Sequence, residues 1–312
     1  MTASLSPKVS IILPTYNGSK WLTKAVKSII NQTFQDWELI IVNDCSTDNT
    51  LAIIESLAAQ DCRIKFISNN KNLKLPASLN IGFSIAKGEY YTWTSDDNVF
   101  KSNAIAAMAT YLDRHPQTDM ISMNSDIINE NGEVIENFDG NYTYKRCVEY
   151  LIHMNNIGAA FMYRKTIAQK VGQYSEMLFC AEDYDYWCRI ALAGKIDYSK
   201  ENIYQYRVHS NSLSKTKRDL VKINTNHIRE KYAPNFFLKY NFSVLDKAKL
   251  WAHHSNYHWP ISMMPLCFLL KAQGLLVEII ASSIFWNKSL RKKVKTLLKI
   301  HNKYSFSVLN EK

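Results

Sequence analysis

Apolar residues fall in short runs over the first two thirds of the chain, and the stretches between them have helical spacing. Lys8–Leu13 is an apolar run ended by Pro14 and predicts a buried strand. Lys20–Asn31 places Trp21, Leu22, Ala25, Val26 and Ile29 on one helical face. Glu38–Val42 predicts a second buried strand, and Leu51–Ala59 a helix with Ser46 or Thr47 as its cap. Ile64–Ile67 follows as a strand, Pro76–Ala86 as a helix opened by proline, and Glu89–Trp93 as a fourth strand. Strands alternating with helices predict an α/β fold, a mostly parallel sheet covered on both faces.

The pattern then changes. Met120–Asn129 and Val134–Asn137 flank Asn131-Gly132, which predicts a hairpin. Thr143–Met154 reads as helix, Ala159–Arg164 as strand, Glu182–Ala193 as helix and Ile203–Val208 as a last strand. From about Lys215 the chain reads as helical, aromatic and basic. Two regions are therefore expected, 1–214 and 215–312.

Charge sharpens that division. Of the net +10, residues 1–214 carry −3 and residues 215–312 carry +13. Such asymmetry points the second region at an anionic partner: a membrane surface, nucleic acid or an acidic substrate. Ile261–Trp286 is apolar but holds Lys271, Gln273 and Glu278, which predicts a helical hairpin or interfacial helix rather than a spanning one. Residues 288–303 carry seven Lys/Arg and no acid, the pattern of a basic amphipathic helix on an anionic membrane or of a solvated basic face. His254 and His258 have the i, i+4 spacing of a metal pair but no third ligand, so packing is their expected role.

No apolar run precedes the first strand, so no secretory signal is expected. The six cysteines have neither metal nor disulfide spacing and read as reduced thiols of a cytosolic protein. Neither a G-x-G-x-x-G nor a P-loop motif occurs, so any phosphate must be held by other means.

The polar residues that follow the strands supply candidates. Ser95-Asp96-Asp97-Asn98 ends the fourth strand. Adjacent carboxylates repel and are costly to desolvate, and at a strand's carboxyl end a hard cation, Mg²⁺ or Mn²⁺, is a natural compensator that can bridge to a diphosphate. The competing role for Asp97 or Asn98 is to cap a helix starting near Lys101. Pro14-Thr15-Tyr16-Asn17-Gly18 forms a turn after the first strand, where Tyr16 offers a stacking face. Asp44 follows the second strand, where its carboxylate could accept a bond from a base N–H and is expected to carry little structural weight. Nearby Asp48 is a candidate cap. Glu182 and Asp183 open a helix; acids there suit the helix dipole, but paired carboxylates among aromatics also suit a general base. Arg207 could pair with phosphate and His209 could ligate metal or diphosphate.

In order and rough spacing these motifs resemble family 2 glycosyltransferases, inverting enzymes of GT-A fold, over about residues 6–214. The resemblance implies that Tyr16 and Asp44 hold a nucleotide base, usually uracil, within a donor-binding set of Pro14, Thr15, Tyr16, Asn17, Asp44, Asp96 and Arg207. It implies Asp96 at the ribose or metal, Asp97 as metal ligand, His209 at metal or diphosphate, Asp183 as catalytic base and Glu182 as its neighbour. Two positions depart from the usual pattern: Thr94 stands in place of the first acid of the metal motif, and Cys45 in place of a glycine. The expected activity is transfer from a nucleoside-diphosphate sugar, foremost a UDP-sugar, with Mn²⁺ or Mg²⁺, to a glycan or lipid-linked acceptor. Surface polysaccharide synthesis at the inner face of the cell membrane is the expected setting. Binding without turnover is one alternative. Nucleic-acid binding through the tail is another, but it leaves Asp44, Asp96, Asp97 and Asp183 unexplained, so no nucleic acid is expected.

Overall fold

The computed structural model describes residues 6–138, 148, 151–152 and 155–240. The expected helix at 143–154, except for residues 148, 151 and 152, and everything after residue 240, with His254 and His258, lie outside the described residues.

Nine strands form one sheet: β1 Val9–Thr15, β2 Trp37–Asn43, β3 Ile64–Ser68, β4 Tyr90–Trp93, β5 Val99–Phe100, β6 Met120–Ile128, β7 Val134–Phe138, β8 Ala160–Arg164 and β9 Ile196–Arg207. Its order is β3-β2-β1-β4-β8-β6-β9-β5, with β7 paired to β6. The first four strands pair parallel. The β4–β8 and β8–β6 pairs are antiparallel, and β9 runs parallel to β6. Two reversals cancel, so β1, β2, β3, β4, β6 and β9 all present their carboxyl ends on one side.

Both faces of the parallel half are covered. Val9, Ile11 and Leu13 point to one face, where they join Leu22, Ala25, Val26 and Ile29 of α1 (Leu22–Ile30) and Ile54 and Leu57 of α2 (Thr50–Gln60). Ile12 and Val42 point to the other, against Gly82 of α3 (Leu75–Ile85); a Cβ on Gly82 would stand 2.4 Å from Ile12 Cγ2. Double coverage explains why β1 and β2 are buried at every position and read as unbroken apolar runs.

β1 continues through Pro14 to Thr15, beyond the end its proline suggests. Ile12 and Pro14 share the edge that faces β4, and the β1–β4 ladder stops at Ile12 and Trp93, so the missing N–H is not needed. β9 begins seven residues before the expected Ile203. Its polar stretch, Ser199–Asn202, crosses the register shifts at Met123–Ser125, where no apolar pattern marks a strand. The hairpin at Asn131-Gly132 forms as expected, with Gly132 at φ 92. The N-cap of α2 is Asn49 rather than Ser46 or Thr47; it makes no side-chain capping bond, and Asp48 Oδ1, one residue before it, accepts the Thr50 N–H at 3.0 Å.

α4 (Ala104–Arg114) and α5 (Lys165–Val171) pack beside the sheet, and α6 (Glu182–Ala193) forms over the expected residues. α7 (Leu213–Thr216) and α8 (Arg218–Lys239) follow. The first compact unit runs to Tyr232 and includes the start of α8. Asp185 holds it there, accepting from Tyr232 Oη at 2.8 Å and from Arg189 Nε of its own helix at 2.8 Å. Among the described residues no helix is long and apolar enough to cross a membrane.

At the amino ends of the strands, Glu38 is 3% exposed and fully engaged. It accepts from Ser10 Oγ and Lys87 N, each at 2.7 Å, and from Lys65 Nζ at 2.8 Å. Burial alone would raise its carboxyl; these donors together overcome that and lower it. A lowered folded-state value adds stability above the ordinary glutamate range that is lost as pH falls through it. Glu38→Gln is therefore expected to destabilise the fold by roughly 1–3 kcal/mol near neutral pH. In urea melts the gap from the parent should shrink steadily below about pH 4.5.

Candidate active site

The chain order reverses between β1 and β4, and the loops that leave their carboxyl ends meet there. Thr15 Oγ1 donates to Asp96 Oδ2 across this crevice. Gly18 lies so close that a Cβ on it would stand 1.9 Å from the same oxygen, so no larger residue fits the turn. Burial pushes the Asp96 carboxyl up to about 7; the Thr15 hydroxyl opposes the shift and neighbouring Asp97 adds to it.

Asn17 ties the β1 turn to the β2 loop. Its N–H donates to Ser46 Oγ at 2.9 Å and its Oδ1 accepts from Thr47 N at 2.8 Å. Tyr16, on the same turn, is 50% exposed and free to offer its ring. Asp44 is 4% exposed. Its Oδ1 accepts from Asn69 Nδ2 and Leu73 N, and its Oδ2 from Lys74 N, all at 2.8 Å. A carboxylate has about four acceptor positions, which leaves one for a ligand N–H.

Asp97 and Asn98 cap no helix; α4 begins at Ala104, after Asn103. They are bound instead to the end of β9. Asn98 Oδ1 accepts Arg207 N, and Arg207 Nε donates to the Asp97 carbonyl, both at 2.8 Å. His209 Nε2 lies 2.9 Å from Asp97 Oδ2. The second oxygen, Asp97 Oδ1, is buried and has no hydrogen-bond partner.

Glu182 and Asp183 lie at the first turn of α6. Glu182 is 3% exposed, its Oε2 has no partner, and burial, with Asp183 adding to it, pushes it up to about 8. Asp183 is less buried. Its Oδ1 accepts Tyr184 N at 2.7 Å and its Oδ2 accepts Asn155 Nδ2 at 2.8 Å, yet burial still raises it. Burial thus raises both adjacent carboxyls, and the charge of Asp183 adds to the rise at Glu182. Asp97, Glu182 and Asp183 line one cleft of about 500 Å³, with Trp93, Asn155, Trp187 and Tyr206 on its walls.

The model of Glycosyl transferase family 2 matches residues 10–172. The chain belongs to that family. An uncharacterized glycosyltransferase of Haemophilus influenzae is 31% identical over 221 residues, 67% of this chain and 68% of that protein. Among solved structures, S. aureus TarS 1–349 in complex with UDP-GlcNAc matches with TM-score 0.63 at 18% identity, over 83% of this chain and 75% of that one. The mannosyltransferase PcManGT from Pyrobaculum calidifontis, in complex with GDP-Man and Mn²⁺, matches with TM-score 0.60 at 14% identity, over 99% and 89%. The fold of this family 2 chain is thus that of the GT-A glycosyltransferases, as the motif order implies.

Both departures from the family pattern have a physical reading here. Thr94 is buried and its Oγ1 lies 2.6 Å from Tyr204 Oη, so its hydroxyl is engaged within the protein. Cys45 adopts φ 63, a conformation that glycine takes freely and a side chain resists.

Two expectations need revision. Arg207 is 1% exposed, and Nη1 also serves the carbonyls of Asn129 and Glu130, at 2.8 and 3.0 Å. Through Nε and Nη1 Arg207 anchors the Asp97 turn, and Nη2 is buried with no partner, so its structural role comes first and one donor stays open. Asp44 is not structurally light, since it pins the loop from β3 to α3. Asn155 was invisible to motif reading: a lone asparagine before a strand carries no signal until the fold brings it to Asp183.

Asp44→Ala would leave three donors to find water. It is expected to lower stability by roughly 1–3 kcal/mol, measured by chemical denaturation without ligand. A variant as stable as its parent would remove the pinning role.

Proposed function

We propose that this protein is an inverting glycosyltransferase that moves a sugar from a nucleoside-diphosphate sugar to a hydroxyl of a glycan or lipid-linked acceptor. The observation that carries this reading is the shared cleft. Asp97, with an unanswered buried oxygen, and Asp183, a raised carboxyl, face the same 500 Å³ space. One end suits the leaving diphosphate and the other the attacking hydroxyl.

The residues divide the work as follows. Asp44 offers its remaining lone pair to a base N–H, which suits uracil, and Tyr16 offers a ring to stack on. Asp96, fixed by Thr15, lies where a ribose would enter. Asp183 takes the proton of the acceptor hydroxyl. The acceptor oxygen forms its bond to the anomeric carbon as the carbon–oxygen bond to the diphosphate breaks, and that electron pair leaves with the diphosphate. A single in-line displacement inverts the anomeric centre and needs no covalent nucleophile. UDP-GlcNAc in TarS and GDP-Man in PcManGT support a nucleotide-sugar donor.

The donor chemistry at Asp97 fits Mn²⁺ or Mg²⁺. A buried carboxylate oxygen without a donor is costly unless a cation answers it, and an imidazole nitrogen stands beside its partner oxygen. Asp97 and His209 would hold the ion, which when bound neutralises charge developing on the diphosphate. The Mn²⁺ of PcManGT supports that choice. Surface polysaccharide synthesis at the inner face of the cell membrane is the proposed setting. The lysine-rich residues 288–303 would supply a peripheral, salt-sensitive contact there.

Asp97→Ala should abolish the metal-dependent part of donor binding, read by calorimetry of UDP-sugars with and without Mn²⁺. Unchanged metal dependence would sink the assignment. Asp183→Asn keeps the shape of the base and removes its proton acceptance. Turnover should fall roughly 10²–10⁴-fold while donor affinity holds.

A further inference from the structure

Two adjacent carboxyls share the cleft, and the fold treats them differently. Glu182 is sunk at the start of α6 and its free oxygen meets no donor. Asp183 has both oxygens fixed from different directions, Oδ1 by Tyr184 N of its own helix and Oδ2 by Asn155 Nδ2. Asn155 is foreign to that helix. It sits on the exposed loop that leads into β8, and its neighbours Asn156, Ile157, Gly158 and Ala159 line the same cleft. A carboxylate oxygen accepts along two directions, so Oδ2, with Asn155 on one, keeps the other for an incoming hydroxyl.

We propose that Asn155 is the positioning residue of the base: its carboxamide fixes Asp183 Oδ2 and favours the ionised carboxylate, so that Asp183 rather than Glu182 takes the acceptor's proton. This rests on the glycosyltransferase reading above. A hydrogen bond to a charged acceptor is stronger than a neutral one and sets direction as well as charge. The donor is an amide, so it is present at every working pH.

Other groups facing Asp183 do not mimic the effect. They are Tyr184 and Cys188 of α6, Cys180 before it, Tyr174 between α5 and α6, and Tyr206 of β9. Burial holds all of these above their ordinary values, so they stay neutral. Lys217 bears on Cys180. Among the described residues, Glu182, at about 8, also titrates in the working range.

The test is the pH profile of turnover by full-length Asn155→Ala and Asn155→Asp, from about pH 5.5 to 8, with UDP affinity measured beside it. Asn155 lowers the Asp183 value, so its loss should raise it. The acid limb of Asn155→Ala should move to higher pH, so the loss of turnover should be several-fold larger near pH 5.5 than near pH 8. UDP affinity should hold within about twofold, as the Asn155 side chain bonds Asp183 and not Asp44, Asp96 or Asp97. Asn155→Asp keeps the loop's shape and adds a charge, so it should move the limb further the same way. A profile that overlays the parent's, or a loss equal at every pH, overturns the proposal. An active Asp183→Asn protein would instead overturn the base itself, a separate failure.

Discussion

The site depends on the union between the Asp97 turn and the end of β9. Asp97 and Asn98 leave β4, in the parallel half of the sheet, whereas Arg207 and His209 end β9, in the mixed half. Bonds from Arg207 N and Nε, and the contact with His209, join them. They can meet only because two antiparallel steps, β4 to β8 and β8 to β6, restore the strand direction before β9. Had one reversal been missing, Arg207 would lie at the opposite edge, among the amino ends. The long β9 is thus a requirement of the site: it carries the chain from the amino edge at Ile196 to the carboxyl edge at Arg207.

Electrostatics follows from that convergence. Asp96, Asp97, Glu182 and Asp183 are four acids with few cations of their own. Asp96 and Glu182 answer by moving toward neutrality, to about 7 and about 8. Asp97 is left with one buried oxygen unsatisfied. The one fully buried guanidinium nearby, Arg207, is committed to backbone carbonyls. An acidic cleft of this kind repels a diphosphate unless positive charge arrives with it. The proposed divalent cation would supply that charge.

The sequence made the fold's first half legible because double coverage imposes an unmistakable pattern: strands buried on both faces, separated by amphipathic helices. The motif order also placed the strand-end acids. What stayed hidden was which polar side chains face inward. Asp44 and Arg207 look like ligand groups by type and position, yet most of their polar capacity is taken up inside the protein, by Asn69, Leu73 N and Lys74 N for Asp44 and by backbone carbonyls for Arg207. Asp48 and Asp97 were equally credible caps; only the start of α2 beside one, and of α4 well past the other, separates them. Asn155 belongs to a loop whose partner lies 28 residues away, a relation no local pattern encodes.

Stability and function occupy opposite edges of the sheet. Glu38, Ser10, Lys65 and the Lys87 N–H form a satisfied network at the amino ends. The carboxyl ends hold the strain. Among the described residues, the non-glycine residues at positive φ are Asn17, Cys45, Lys74 and Cys180. Each borders a site group: Asn17 joins the two nucleotide-side loops, Cys45 follows Asp44, Lys74 donates to Asp44, and Cys180 precedes Glu182 by two residues. Each such conformation costs on the order of 1–3 kcal/mol. Three of these neighbourhoods are locked by side-chain hydrogen bonds that would be pointless in a relaxed loop. The strain therefore reads as the cost of holding donors and acids in fixed directions before any substrate arrives, and the covered parallel half, anchored at its amino edge, is rigid enough to sustain it.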